Sequence, residues 1–196
     1  MQKALAALVI IGCGIQAVLS LSEAETQPVL SLPQLLLRLS SVKMAKARFT
    51  ERKYLHILTA PLEDSGTLIY IAPSVLQKNT LQPKFERLLV DRDTLTIERE
   101  RKTQTLKLAD YPQAWSLIEG IRATLAGDIA ALDRYYESRL DGSIGSWRLV
   151  LRPRDKKMQE VVQSLRIFGT DTRIDRIETE ERDGDHTEMT MIEDGP

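Results

Sequence analysis

The segment from Gly66 to Ile97, GTLIYIAPSVLQKNTLQPKFERLLVDRDTLTI, carries the clearest structural pattern in this sequence of 196 residues. Short runs rich in Leu, Ile, Val and Thr alternate with breaks at Pro73, at Pro83 and at the polar triplet 91–93. Short aliphatic and β-branched runs that end at Pro and Asp are typical of an antiparallel meander. The segment therefore predicts four short, consecutive strands.

Similar runs continue on both sides of this segment. The run WRLVLRP alternates most regularly and places Trp147, Leu149 and Leu151 on one face of a strand, with the arginines on the other. The further predicted strands are Ala47–Leu58, Thr103–Leu108, Trp147–Pro153, Val161–Phe168, Arg173–Glu181 and His186–Ile192.

Two segments change to helical spacing. Ser31 and Gln34 form a Ser-x-x-Gln capping box, and Pro33 in the first turn favours the start of a helix. The second predicted helix ends near Gly127, and residues 132–140 are predicted to form one helical turn and then a strand. About ten strands with these helices predict a mainly β (α+β) fold, in which helices cover one face of a single curved antiparallel sheet.

Residues 1–24 have the pattern of a secretory signal peptide. Lys3 precedes an uncharged apolar run, and small residues such as Ser22 follow that run. The run is nearly long enough to span a bilayer, so an uncleaved anchor is an alternative, and Cys13 leaves open a lipidated N-terminus. We predict cleavage, with residues 25–196 forming a single domain.

Charge and residue content argue against several classes of function. Lys and Arg total 27 and Asp and Glu total 28, a net charge of −1, so no strongly basic character favours a nucleic-acid partner. The only cysteine lies in the predicted leader, and the two histidines, His56 and His186, are far apart in the sequence. Neither a nucleophile with its base nor a set of zinc ligands is evident. We predict no enzymatic activity, no metal and no cofactor.

Aliphatic residues alternate along nearly every predicted strand, whereas aromatic residues make up only 5% of the chain. A sheet of this size curls towards a barrel, and its concave face must be covered. The protein's own side chains and helices can fill that space, or an apolar ligand can share it. The alternation alone leaves both alternatives open.

Several short motifs resemble the LolA family of periplasmic carriers of outer-membrane lipoproteins, and they occur in matching order over most of the chain. They are Phe49-Thr50, G-x-L-x-Y at Gly66, Leu68 and Tyr70, then Pro73, Gln82-Pro83, LLVDRDTL at 88–95 and WRLVLRP at 147–153. The resemblance implies an unclosed antiparallel β-barrel of about ten or eleven strands. It also implies a helical lid over an apolar cavity that takes acyl chains.

The chain departs from the family pattern before Pro73 and again near residues 76–78, where an aromatic residue of the family is replaced. Members that sort lipoproteins typically carry an Arg before the proline that corresponds to Pro73, where it ties barrel to lid, whereas this chain has Ala72. These departures favour a divergent member that carries a lipoprotein or another envelope lipid. The resemblance further implies a monomeric, non-enzymatic periplasmic protein that receives its cargo from an inner-membrane donor and passes it to an outer-membrane acceptor.

The resemblance and the alternation together define the predicted site. The predicted acyl cavity is lined by Leu68, Tyr70, Leu88, Val90, Leu95, Ile97, Leu149, Leu151, Ile177, Met189 and Met191. The predicted lid residues are Leu35, Leu36, Leu39, Trp115, Ile118 and Ile121. Two other functions stay open: a membrane-anchored acceptor of the LolB kind, and an envelope interaction module that binds no lipid.

Overall fold

The computed structural model describes residues 30–193, and the predicted signal peptide, residues 1–24, lies outside them. These residues form one antiparallel sheet of eleven strands in the order β6-β5-β4-β3-β2-β1-β11-β10-β9-β8-β7. The strands are β1 Met44–Tyr54, β2 Leu62–Ile71, β3 Val75–Gln82, β4 Glu86–Asp91, β5 Thr94–Arg99, β6 Lys102–Lys107, β7 Tyr136–Ser143, β8 Ser146–Pro153, β9 Val162–Thr170, β10 Arg173–Glu181 and β11 His186–Glu193.

The sheet over these residues is not closed, because β6 and β7 are the two outer strands of this order. The helices are α1 Leu32–Leu39, a 3-10 turn Leu108–Asp110, α2 Pro112–Ala126, α3 Ile129–Tyr135 and the short α4 Lys156–Gln159. Both α2 and α3 lie between β6 and β7 in the chain. The prediction of a mainly β fold with an unclosed antiparallel barrel and helices is confirmed.

The predicted meander is present as β2 to β5, each strand pairing with the next. Gly66 lies where β2 and β3 approach most closely, next to a register shift, and a side chain there would collide with the backbone of Asn79. Strand β1 ends at Tyr54, before the predicted end at Leu58, and His56 therefore lies in a turn instead of a strand.

Local signals set the helix ends. The Ser31 hydroxyl accepts a hydrogen bond from the backbone N–H of Gln34, and the Gln34 side chain accepts one from the N–H of Ser31, as the capping box predicts. Helix α2 ends at Gly127, whose φ of 72° suits glycine. Asp128 caps α3 by accepting from the N–H of Ala131. The predicted helical turn and strand that follow are confirmed as α3 and β7.

Helix α4 was not predicted. The Asp155 carboxylate accepts hydrogen bonds from the backbone N–H groups of Lys157 and Met158 and so caps this single turn. An Asp before a short polar segment is a cap signal in the sequence, but one turn leaves too little periodicity to be recognised.

The strand register fixes which side chains share the inner face. Tyr70 on β2 lies opposite Leu76 on β3, Leu76 opposite Val90 on β4, and Val90 opposite Leu95 on β5. Alternate residues of a strand face the same side, so the inner set continues through every second position. On β8, Trp147 and its alternating leucines are buried, while both arginines are exposed, as predicted.

The inner face divides into two regions. The filled half is the inner face of β7 to β9, on which α1, α2 and α3 pack in one continuous hydrophobic core. The hollow half is the inner face of β1 to β5 and of β11, which faces α2 across an open space. Strand β10 lies between them, and its Ile177 belongs to both.

Candidate functional site

An apolar cavity of about 330 Å³ lies between the hollow half of the sheet and helix α2. Apolar side chains from seven neighbouring strands form one wall, and one face of α2 forms the other. Among the described residues, its lining contains neither histidine nor cysteine. Most of the lining is apolar, so the space suits hydrocarbon groups better than water.

Most of the predicted cavity residues do line this space. They are Leu68, Tyr70, Leu88, Val90, Leu95, Ile177, Met189 and Met191, joined by Ile118 and Ile121 from the predicted lid. The register brings them together because all the strand members occupy inner positions of adjacent strands. Whether they bind a ligand stays a prediction.

Three predicted cavity residues lie elsewhere. Ile97 is on the inner face but packs against the small cluster of Val90 and Leu95. Leu149 and Leu151 are fully buried in the filled half. The prediction that these two leucines line the cavity is wrong, because alternation on β8 matches that of the cavity strands but does not reveal which helices cover it.

The reason for the correction is the close approach of α2 to the filled half. A Cβ added at Gly120 would lie 2.8 Å from Leu165 Cδ2 and 3.2 Å from Leu151 Cδ1. The helix backbone therefore rests directly on these leucines, and the space above Leu149 is occupied by protein. Interiors packed at this density leave no room for a guest.

The predicted lid also divides between the two regions. Leu35, Leu36 and Leu39 on α1 belong to the core of the filled half and do not border the cavity. Trp115 packs edge-on against Tyr135, with ring centroids 4.7 Å apart, and outside the cavity lining. The cavity is thus covered by α2 and not by α1.

Sequence reasoning missed several wall residues. They are Val42, Ala45, Ala47, Leu76, Ala114, Leu117, Leu125 and Ile174. Two signals could have found part of this set. Positions 114, 117, 118, 121 and 125 form one helical stripe on α2, and Ala45 alternates with Ala47 at the start of β1. Small side chains on β1 leave space that larger ones would occupy.

One charged network interrupts the apolar wall. Lys78 Nζ lies 2.5 Å from Glu51 Oε2 and 4.9 Å from the centroid of the Phe49 ring. Lys53 Nζ lies 3.2 Å from the same Glu51 oxygen and 2.6 Å from Asp64 Oδ2. Burial alone would lower the pKa of Lys53, but its hydrogen bonds to the two carboxylates outweigh that effect and raise the pKa. The four side chains therefore form one connected network of ion pairs.

A second polar group in the wall is the phenol of Tyr70, which is 4% exposed. Within residues 30–193, its hydroxyl has no hydrogen-bond partner. Burial raises the pKa of this phenol, so the hydroxyl keeps its proton at neutral pH and remains a donor.

Outside the cavity, one histidine joins two neighbouring strand connections in the middle of the sheet. The backbone N–H of His56 donates to Asp185 Oδ1 at 2.7 Å, and His56 Nδ1 lies at the same distance from that oxygen. These hydrogen bonds lower the pKa of the Asp185 carboxyl. Asp183 brings a third ligand-type atom to within 4.8 Å of the other two. We interpret the group as a clasp between the β1–β2 loop and the β10–β11 turn.

None of the helices in residues 30–193 combines the length and the apolar character that a membrane crossing requires.

Fold and cavity together define an unclosed antiparallel barrel with an apolar chamber beneath a helix. The family model for outer membrane lipoprotein carrier protein LolA-like proteins matches residues 24–193, and the chain belongs to this family. The resemblance found in the sequence motifs is thereby confirmed. Among curated proteins, none matches the chain in sequence.

Solved structures with a similar arrangement come from several bacteria. A LolA superfamily protein from Nitrosomonas europaea is 11% identical, with 85% of this chain and 96% of that chain covered and a TM-score of 0.47. The lipoprotein LppX from Mycobacterium tuberculosis is 9% identical, with 85% and 98% covered and a TM-score of 0.41. In the MucA/MucB complex of Pseudomonas aeruginosa, the matched chain is 14% identical, with 82% and 55% covered and a TM-score of 0.43.

Proposed function

We propose that this protein binds an acyl chain of a lipid or lipoprotein in the cavity and carries it through the periplasm towards the outer membrane. The observation that supports the proposal is the apolar chamber itself, whose walls are almost entirely aliphatic. Membership in a family described as lipoprotein carriers agrees with this use of the chamber.

Burial of hydrocarbon would drive the binding. Each CH₂ group that moves from water to an apolar site contributes about 0.8 kcal/mol. A tail of about sixteen carbons would gain on the order of 10 kcal/mol before the costs of association are subtracted. That gain is large enough to keep a tail out of water during transfer.

The volume of the chamber and the flexibility of its lining side chains suit one mobile acyl chain. A volume of about 330 Å³ is near the lower end of the range of about 300–1,000 Å³ that is common for ligand sites. Met189 and Met191 on β11 line it with flexible thioether side chains, which adapt to irregular shapes. We therefore propose that the cargo inserts a single acyl chain at a time.

The route of the cargo forms part of the same proposal. Residues 1–24, predicted as a signal peptide, would direct the chain out of the cytoplasm. A donor at the inner membrane would load the chamber and an acceptor at the outer membrane would empty it, with the carrier acting as a monomer and without catalysis.

Two measurements test the proposal. The first is mass spectrometry of organic extracts from protein purified after native secretion, in which acyl lipids are expected in stoichiometric amounts. The second is equilibrium binding of a fluorescent fatty acid to the same protein. Extracts without lipid, together with a wild-type protein that binds no probe, would refute acyl carriage.

A matched pair of variants on β11 tests whether the cavity is the binding site. Met191 lines the cavity, whereas its neighbour Ile192 lies on the outer face and is 62% exposed. Met191→Glu places a carboxylate against the tail, where the water that it needs competes with lipid. We expect probe affinity to fall by about tenfold or more in Met191→Glu and to stay unchanged in Ile192→Glu. Equal affinities in the two variants would place the binding site elsewhere.

A further inference from the structure

The phenol of Tyr70 is an exception in the cavity wall, because its buried hydroxyl lacks a hydrogen bond within the described residues. Its hydroxyl is buried, lies among the cavity residues and finds no hydrogen-bond partner within the described part of the chain. The other large inner-face phenol, Tyr136, shows the ordinary arrangement, since its hydroxyl donates to the Ser116 carbonyl at 2.5 Å. Buried polar atoms are nearly always paired, so an exception calls for an explanation.

Among residues 30–193, no acceptor lies within hydrogen-bond distance of the Tyr70 hydroxyl. Its cross-strand neighbours are Ala45 on β1 and Leu76 on β3, which carry no polar side-chain atom. The polar wall residues Lys78 and Glu51 are engaged with each other. A polar group left unpaired inside an apolar ligand site is the usual means of fixing a ligand's orientation.

We infer that the Tyr70 hydroxyl donates a hydrogen bond to an acceptor oxygen carried by the ligand inside the cavity. This inference rests on the proposed function and specifies the substrate class. The guest is an acyl chain that brings an ester, amide or hydroxyl oxygen into the chamber, and not a bare hydrocarbon tail. The raised pKa of the phenol keeps the donor protonated at neutral pH.

The position of this donor defines the depth of insertion. Tyr70 lies in the same cross-strand row as Leu76 and Val90, next to the turns that end β2 and β4, and is itself buried. A ligand oxygen that meets the hydroxyl therefore enters the chamber together with its chain. A site that hydrogen-bonds a ligand oxygen discriminates against analogues that lack it, because the site's own polar group is then left unpaired.

The test compares Tyr70→Phe with wild type against two competitors of equal heavy-atom number. Methyl dodecanoate carries an ester, and pentadecane carries no oxygen; each displaces a bound fluorescent fatty acid. We expect Tyr70→Phe to bind the ester about fivefold more weakly, the loss of one neutral hydrogen bond. Its affinity for the alkane should be unchanged or higher.

The control is Tyr136→Phe, which removes a phenol hydroxyl outside the cavity lining and should leave the affinity for both competitors unchanged. Circular dichroism confirms that each variant is folded. Equal affinities of wild type and Tyr70→Phe for the ester, or an equal loss for both competitors, would overturn the role of Tyr70 while leaving acyl binding intact. Failure of the wild type to bind either competitor would overturn the proposed function as well.

Discussion

Strand β8 in the filled half and strand β4 in the hollow half carry the same alternation of inner aliphatic residues, yet they meet different surroundings. Leu149 on β8 is fully buried beneath helices. Leu88 on β4 is only partly buried and borders open space. The strands do not cause this difference. It arises from how closely the helices approach them.

Two local features set that distance. In the filled half, Gly120 lets the backbone of α2 rest on Leu151 and Leu165, and α1 adds its own leucines. In the hollow half, the small side chains of Ala45 and Ala47 line the cavity. Large side chains thus fill one half of the sheet, whereas the other half borders an open cavity.

The largest expected effect compares one leucine from each half. Leu149→Ala should lower the free energy of unfolding by about 2–5 kcal/mol, the usual cost of emptying a packed core site. Leu88→Ala should cost about 1 kcal/mol, because its side chain already borders empty space. Urea unfolding of both variants measures the difference. Equal losses would show that the hollow half is packed as tightly as the filled half.

A smaller effect concerns the ion pair in the cavity wall. Lys78→Met leaves the Glu51 carboxylate, whose side chain is 7% exposed, with Lys53 as its remaining cation. We expect a loss of about 3 kcal/mol, the lower end for breaking a buried pair, because Lys53 still compensates.

The double variant Glu51→Leu/Lys78→Met is the control for that loss. It removes both charges and should regain most of the stability, since apolar replacements of buried pairs are often neutral. Urea unfolding of Glu51→Leu, of Lys78→Met and of the double variant completes a double-mutant cycle. A double variant no more stable than Lys78→Met would show that the pair contributes through packing rather than charge.

The two inner-face tyrosines provide the next comparison. Tyr136→Phe removes a hydroxyl that donates to the Ser116 carbonyl, and should cost about 1 kcal/mol of unfolding free energy. Tyr70→Phe removes a hydroxyl that has no partner in the described chain, so the ligand-free variant should be as stable as wild type or slightly more stable. Thermal unfolding of delipidated protein measures both. A loss at Tyr70 equal to that at Tyr136 would reveal a hidden partner.

The smallest effect is expected at the clasp where the two regions meet. His56 lowers the pKa of the Asp185 carboxyl below its ordinary value of 3.8. A lowered folded-state pKa stabilises the protein above that ordinary value, and the contribution is lost as the pH falls through the folded pKa. Asp185→Asn should therefore have a lower melting temperature than wild type at pH 7, and the difference between the two melting temperatures should shrink towards pH 2. A difference in melting temperature that does not change with pH would contradict the charge-based account.

Alternation is a local property, so the sequence predicts which residues of a strand share a face, but it does not tell which of the two faces is concave. Tyr70, Leu88 and Met189 were assigned to one face from their own neighbours, and the register places them on one wall. The capping box of Ser31 and the stop at Gly127 were readable for the same reason.

The shape of the cavity could not be read in this way. Whether Leu149 meets a helix or a void depends on the closeness of α2 at Gly120, which is a contact between distant parts of the chain. The pairing of Lys78 with Glu51 likewise depends on how β1, β2 and β3 align. Such relations are set by tertiary packing and leave little trace in local patterns.

The gap between β6 and β7 has a mechanical consequence, because the chain that joins these two strands contains α2. In a fully closed barrel, the number of strands and the shear fix the internal diameter, so a wider ligand could enter only if hydrogen bonds between strands broke. An unclosed sheet can widen its concave side by changing its curvature, while all hydrogen bonds between adjacent strands are kept. Because α2 lies in the chain between β6 and β7, such a widening would also shift this helix, and the width of the cavity and the position of its cover would change together.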